Sequence, residues 1–205
     1  MKKSIGLLAF FLLPTLLTAQ SPRSANGGQG KLWAGGEVSI YNPDFGCPTN
    51  MVFTCWNDTL YGPTAFFDLG FSNKLSLEGD ARWLVFHGVG GQKESSYTVG
   101  PRYRLWHREP WSLHGKLNLG GMWLQTPGYP QAGTLKGSYF AVAPGADLDY
   151  RLSDRLMVRA EYDYEFLPSF AGPPTFSSTG QVVTHGSGLT PNGFSVGVAW
   201  RLLGY

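Results

Sequence analysis

The sequence is poor in charge. Lys, Arg, Asp and Glu together make up 15% of the 205 residues, against about 25% in an ordinary soluble domain. A formal charge of +2 excludes the strongly basic footprint of a nucleic-acid-binding surface. Cysteine is scarce, and the spacing of Cys47 and Cys55 suits neither a redox Cys-x-x-Cys nor a zinc site. Beyond the N-terminus no apolar run approaches the roughly 20 residues of a membrane helix. Glycine is abundant instead, with 28 residues, beside 15% aromatics. The glycines keep no period, which excludes collagen, and so many aromatics exclude a disordered chain. What remains is a glycine-rich, aromatic-rich, charge-poor all-β domain, long enough to bury a core.

The N-terminus reads as an export signal. Met1-Lys2-Lys3-Ser4 precedes the apolar run Ile5 to Leu17 and the small residues Thr18-Ala19, the order of basic, apolar and small segments in a secretory signal peptide. Pro14 interrupts the run, which is too short for an anchor. The expected division is a signal peptide over 1–19, a short extension over 20–30 and one domain over 31–205. Removing Lys2 and Lys3 leaves 14 basic residues against 14 acidic ones, so the exported chain is neutral. An oxidising destination also gives Cys47 and Cys55 their natural reading, a disulfide closing a small loop.

From Lys31 onward the hydrophobic pattern has period two. In Leu156 to Phe166 the even positions are Leu, Val, Ala, Tyr, Tyr and Phe, and Arg159, Glu161, Asp163 and Glu165 are odd. Only a strand puts these sets on opposite faces. The same alternation recurs over Leu75–His87, Trp111–Trp123, Phe140–Tyr150 and Phe194–Leu202. It is weaker over Leu32–Tyr41, Thr64–Phe71 and Tyr97–Trp106. About eight strands follow.

Three features turn the apolar face outward, to lipid. The strands run to the length a tilted membrane strand needs. Short turns at 72–74, 107–110 and 151–155 alternate with longer connections at 43–60, 88–95, 126–136 and 167–191, as periplasmic turns alternate with external loops in membrane barrels. Aromatics sit near strand ends on the apolar face: Trp83, Tyr103, Trp111, Trp123, Tyr150, Tyr162, Tyr164 and Trp200 are the expected girdle. In hydrocarbon a sheet satisfies its backbone only by closing on itself. A barrel of about eight strands is just filled by its own side chains, with inner glycines (Gly35, Gly70, Gly100, Gly120, Gly145 and Gly197) leaving room for long ones.

The pattern resembles the eight-stranded OmpA-type or opacity-family outer-membrane β-barrels of Gram-negative bacteria. Val99-Gly-Pro-Arg-Tyr-Arg-Leu105, Val158-Arg-Ala-Glu-Tyr-Asp-Tyr164 and the aromatic-ended last strand carry the likeness. It implies a closed antiparallel up-and-down meander in the outer membrane. The chain departs at Pro101 and Pro144, which fall inside strands and require bulges or unpaired positions. Tyr205 is also out of phase with Trp200 and Leu202. No peptidoglycan-binding domain is expected after Tyr205.

The inward face is charge-dense: Glu37, Asp68, Glu78, Asp80, Arg82, Arg102, Arg104, His114, Lys116, Asp147, Asp149, Arg159, Glu161, Asp163, Glu165 and Arg201. Carboxylates at i, i+2 permit acid/base work, and a narrow gated ion path is a second option. Buried charges must be paired, however, and interleaved Arg and Glu do that. An ion-pair network is the expectation. His185-Gly-Ser187 has the spacing of the His-x-Ser pair of lipid A deacylases, on which a hydrolase is the alternative function. It lies in a Gly/Ser/Thr-rich stretch, where coincidence is the stronger reading. No metal ligand set and no cofactor are expected. The aromatic loops (Met51, Val52, Phe53, Trp56, Phe166, Leu167, Phe170, Phe176) offer a surface for a ligand or a cap for the barrel. The expected partners are outer-membrane lipid, lipopolysaccharide and a surface ligand, with no nucleic acid. The chain is expected to be a monomer with a structural or surface-interaction role and no enzyme activity.

Overall fold

The computed structural model describes residues 30–43, 59–86, 92–127, 134–170, 175–176, 182–183 and 188–204. The signal and extension over 1–29, Cys47, Cys55, His185 and Ser187 lie outside them.

Ten strands are present among the described residues: β1 (Lys31–Asn42), β2 (Leu60–Gly70), β3 (Leu75–Val85), β4 (Lys93–Arg108), β5 (Trp111–Pro127), β6 (Thr134–Arg151), β7 (Leu156–Tyr164), β8 (Thr175–Phe176), β9 (Val182–Val183) and β10 (Asn192–Leu203). Eight of them close a barrel in the order β1-β10-β7-β6-β5-β4-β3-β2, and β8 and β9 form a separate two-residue pair. All pairings are antiparallel. Val38 of β1 stands opposite Pro63 of β2 on one side and Val196 of β10 on the other, which closes the ring. The meander expected from the alternation is therefore the observed architecture.

Four strands run four or more residues past their expected bounds, and β2 is one, starting at Leu60 instead of Thr64. β4 starts at Lys93 instead of Tyr97, β5 runs past Trp123 to Pro127, and β6 starts at Thr134 instead of Phe140. The cause is visible in Lys93-Glu94-Ser95-Ser96. These residues have no apolar alternation, yet each pairs with both β3 and β5, so the neighbours' ladders impose the strand.

The prolines obey the lack of an N–H. Pro63 falls in a gap of the β2–β3 ladder, Pro101 in a gap between Val99 and Arg102 of the β4–β5 ladder, and Pro144 just beyond the last β6–β7 pair. Each keeps its partner on the other side, where no donor is demanded. A register shift between Arg104 and Trp106 adds a bulge near the end of β4.

Close backbone approach makes several glycines critical, Gly120 among them. A Cβ on Gly120 would stand 1.9 Å from the Tyr97 carbonyl oxygen, whereas one on Gly36 would find its nearest neighbour, the Thr64 oxygen, at 3.7 Å. Gly120→Ala is expected to cost about 1–3 kcal/mol, as overpacking against an immobile neighbour does. Gly36→Ala is expected to gain about 0.5–1 kcal/mol from the smaller loss of backbone freedom. Urea unfolding of the folded barrel in lipid vesicles separates the two, and equal midpoints would contradict the geometry.

Candidate functional site: the barrel lumen

Alternation places the odd residues of β1 and β7 and the even residues of β2 to β5 inside. The lumen therefore collects Ser39, Tyr41, Thr64, Phe66, Ser96 and Asn118 among its charges. Three arginines and one lysine are buried there: Arg82, Arg102, Lys116 and Arg159.

Two arginines form the layer nearer the short turns. The Arg102 guanidinium donates to Asp68 Oδ2 at 2.5 Å and to Asp149 Oδ2 at 2.6 Å. It also forms a bidentate pair with Asp147. Arg159 donates to Glu78 Oε2 at 2.6 Å and Asp149 Oδ1 at 2.9 Å, and its guanidinium lies 4.1 Å from the Phe66 ring centre. His114 Nδ1 stands 2.8 Å from Arg102 Nη2 and 3.2 Å from Asp147 Oδ1.

The next layers belong to Lys116 and Arg82. Lys116 Nζ lies 2.8 Å from Glu161, 3.0 Å from Glu78, and 3.2 Å from Asp80 and Asp163. Inner glycines make this fit: a Cβ on Gly145 would stand 2.1 Å from Asp163 Oδ1 and 2.9 Å from Lys116 Cε. Arg82 donates to Glu165 at 2.5 Å and Asp163 at 2.6 Å while lying 4.1 Å over the Tyr41 ring. Ser39 Oγ links Thr64 Oγ1 at 2.6 Å and Ser195 Oγ at 2.7 Å.

Above the charges sits an apolar layer. Met122, Leu124, Ala141, Leu167 and Leu189 form one cluster, with Tyr139 and Phe170 against it, and Tyr41, Leu60 and Leu84 form another. Leu167 and Leu189 come from the long connection before β10 and bridge each other. Leu167 and Phe170 thus pack into the barrel and do not stand free as ligand-facing aromatics and aliphatics, while Phe166 remains 40% exposed.

Three placements differ from the sequence reading. Arg104 and Arg201 are only half-buried and lie at the short-turn rim, outside the paired layers. Glu94, assigned to a loop by its polar surroundings, is 1% exposed inside the lumen. The signal was there, because Glu94 shares the parity of Ser96 and Arg102. Neutralisation is also incomplete. Ten buried carboxylates (Glu37, Asp68, Glu78, Asp80, Glu94, Asp147, Asp149, Glu161, Asp163, Glu165) face the four bases. Both carboxylate oxygens of Glu37 and of Glu94 lack a hydrogen-bond partner.

Two carboxylate clusters have ligand atoms within 4.8 Å of one another: His114-Asp147-Asp149 and Glu78-Asp80-Glu161. A side-chain cation already occupies each, Arg102 in the first and Lys116 in the second.

A barrel this narrow, charged within and apolar without, has known counterparts. The family model of the outer membrane protein beta-barrel domain matches residues 10–201. The chain belongs to this family. Neisserial surface protein A has the same fold, with a TM-score of 0.57 and 11% identity over 84% of this chain and 96% of that one. Ail, the attachment invasion locus protein of Yersinia pestis, superposes with a TM-score of 0.53 and 19% identity, covering 85% and 99%. For OprG of Pseudomonas aeruginosa the values are 0.55, 11%, 86% and 98%. No curated protein is similar enough to count as a match.

As an outer membrane barrel, the chain turns its exposed apolar residues to lipid. Val38, Val99, Leu117, Leu119, Phe140 and Val196 are all more than 40% exposed and alternate with the buried charges. Trp83, Tyr103, Trp111, Trp123, Tyr150, Tyr162, Tyr164 and Trp200 share this outer face. Near the long connections Trp83 Nε1 donates to Tyr97 Oη at 2.9 Å, and the Tyr97 ring meets Trp123 edge-on at 5.4 Å. Near the short turns Trp111 and Tyr150 meet edge-to-face, their ring centres 4.6 Å apart. Aromatics thus stand at both ends of the lipid-facing band.

Proposed function

We propose that the protein is a non-conducting outer membrane scaffold whose long connections bind a surface partner, without catalysis. The observation that carries this reading is the filled lumen, with stacked ion-pair layers beneath an apolar layer. A barrel of this strand number leaves no wide aqueous path once its interior is packed, and its ion pairs serve to hold the wall together.

The composition of the connections narrows the partner. Residues 43–59, 86–92, 128–133 and 165–191 contain no Lys or Arg, and Asp44, Asp58 and Glu165 are their only acids. They are rich in Phe, Tyr, Trp, Pro and Gly. Recognition by such loops rests on aromatic contact and neutral hydrogen bonds, as in binding an uncharged glycan or a protein surface. Ail is a relevant comparison, since it is named for attachment and has been crystallised with the heparin analogue sucrose octasulfate. The present loops lack the cations that a polysulfated ligand requires.

The test is cell-surface display in an outer-membrane host with few native barrels. Displaying cells are expected to bind animal cells or neutral glycans, with less than about a twofold change between 50 and 500 mM salt, since little of the contact is ionic. Replacing Phe53 and Trp56 by Ser is expected to reduce binding. Steep salt dependence, or a steady unitary conductance in planar bilayers, would overturn the reading.

A further inference from the structure

The rim at the short turns is the opposite of the lumen. Lys31, Lys74, Arg104, Arg151, Arg155 and Arg201 gather there, with Glu109 and Asp154 as the nearby acids. Among them the only ion pair is Arg151 with Glu109, at 3.5 Å and largely exposed. Lys31 stands within electrostatic reach of Arg151, Arg201 and Arg104, which repel it, and of Asp154, which attracts it. Like charges held this close are unfavourable unless something answers them.

The rim encloses a partly open recess of about 90 Å³, walled by Lys31, Lys74, Arg104 and Arg151 and by the hydroxyls of Ser72 and Ser112. Its acids, Asp68 and Asp149, lie at the floor and are already engaged by Arg102 and Arg159. On the wall, Arg104 Nε is buried with no hydrogen-bond partner, which leaves a desolvated donor unanswered.

The backbone that carries the cations is tied across the rim. Arg104 N donates to the Lys74 carbonyl at 2.8 Å, Arg201 N to Arg155 at 2.9 Å and Arg151 N to Pro110 at 3.0 Å. Anchored backbone stems aim these side chains at one recess, which removes part of the ordering cost of binding an anion. We propose that the short-turn mouth of the barrel is a binding site for a phosphate group, contacted by Arg104, Lys31, Lys74 and Arg151. Guanidinium and ammonium donors match phosphate oxygens in geometry and charge. The site faces the periplasm, so the phosphate comes either from a soluble anion or from an anionic phospholipid headgroup of the inner leaflet.

Equilibrium dialysis of the full barrel with radiolabelled inorganic phosphate tests this, first in maltoside micelles and then in the same micelles doped with phosphatidylglycerol. The expected result in plain micelles is one phosphate per barrel, bound in preference to chloride at equal ionic strength. Arg104→Gln combined with Lys31→Gln is expected to weaken uptake by at least about tenfold. Both variants sit at the half-exposed rim, and heat-modifiable gel mobility verifies that they fold. Phosphate retained in the doped micelles identifies a soluble anion as the occupant, and phosphate displaced there identifies the lipid headgroup. Uptake that is absent, matched by chloride, or unchanged in the double variant overturns the proposal.

Discussion

Replacing Arg159 by alanine is expected to lower the unfolding free energy by about 3–5 kcal/mol, the cost of breaking a buried charge pair from one side. Arg159 is 0% exposed and holds Glu78 and Asp149 by hydrogen bonds, with Asp68 at 3.6 Å and the Phe66 ring beneath it. Its removal leaves ten buried carboxylates to three bases. Arg102 and Lys116 cannot make up the difference, because each already serves four acids. Lys74→Ala, in an exposed turn, is expected to change stability by less than about 0.5 kcal/mol. Urea midpoints in lipid vesicles compare the two. Coincident midpoints would mean that the lumen layers contribute nothing to holding the wall together.

The second large effect lies on the other face. Leu117 is 46% exposed and sits on β5 midway between Trp111 and Trp123, so its side chain is at the centre of the hydrocarbon. Leu117→Arg is expected to cost about 2–4 kcal/mol, and Leu152→Arg, on an exposed turn at the rim, no more than about 1 kcal/mol. In a soluble barrel the two would be equally harmless. The same vesicle titration reads the difference, and a Leu117→Arg barrel as stable as the parent would reverse the assignment of faces.

Much of this was legible in the sequence because a strand's side-chain period of two is strict. Arg159, Glu161, Asp163 and Glu165 could not share a face in any helix, and all four are buried together. The outward placement of Trp83, Trp111, Trp123 and Trp200 followed from the same parity. Strand ends were less legible: Lys93 to Ser96 has no alternation of its own and is extended only because β3 and β5 hold it on both sides. Glu94 lies in this stretch, so no local pattern beyond its parity with Arg102 marks it as a lumen residue. The apolar layer was also hidden, since Leu167 and Leu189 meet across 22 residues by a single bridge that no local pattern marks. Charge balance was misleading for a related reason. A net charge of only +2 conceals an acid excess inside and a base excess at one rim, and only the three-dimensional sorting of residues reveals it.

That sorting has a consequence for how the barrel reaches its final orientation. A barrel inserted from the periplasm must push one set of connections through the hydrocarbon and leave the other behind. The long connections carry no Lys or Arg at all, and Arg and Lys are the residues costliest to place at the bilayer midplane. The short turns hold Lys74 and Arg155, and the adjoining strand ends hold Lys31, Arg104, Arg108, Arg151 and Arg201. Insertion with the long connections leading carries no basic side chain of a connection across the bilayer, whereas the inverted passage would drag the whole cationic collar through it. Topology is thus written into which end of the cylinder is willing to travel.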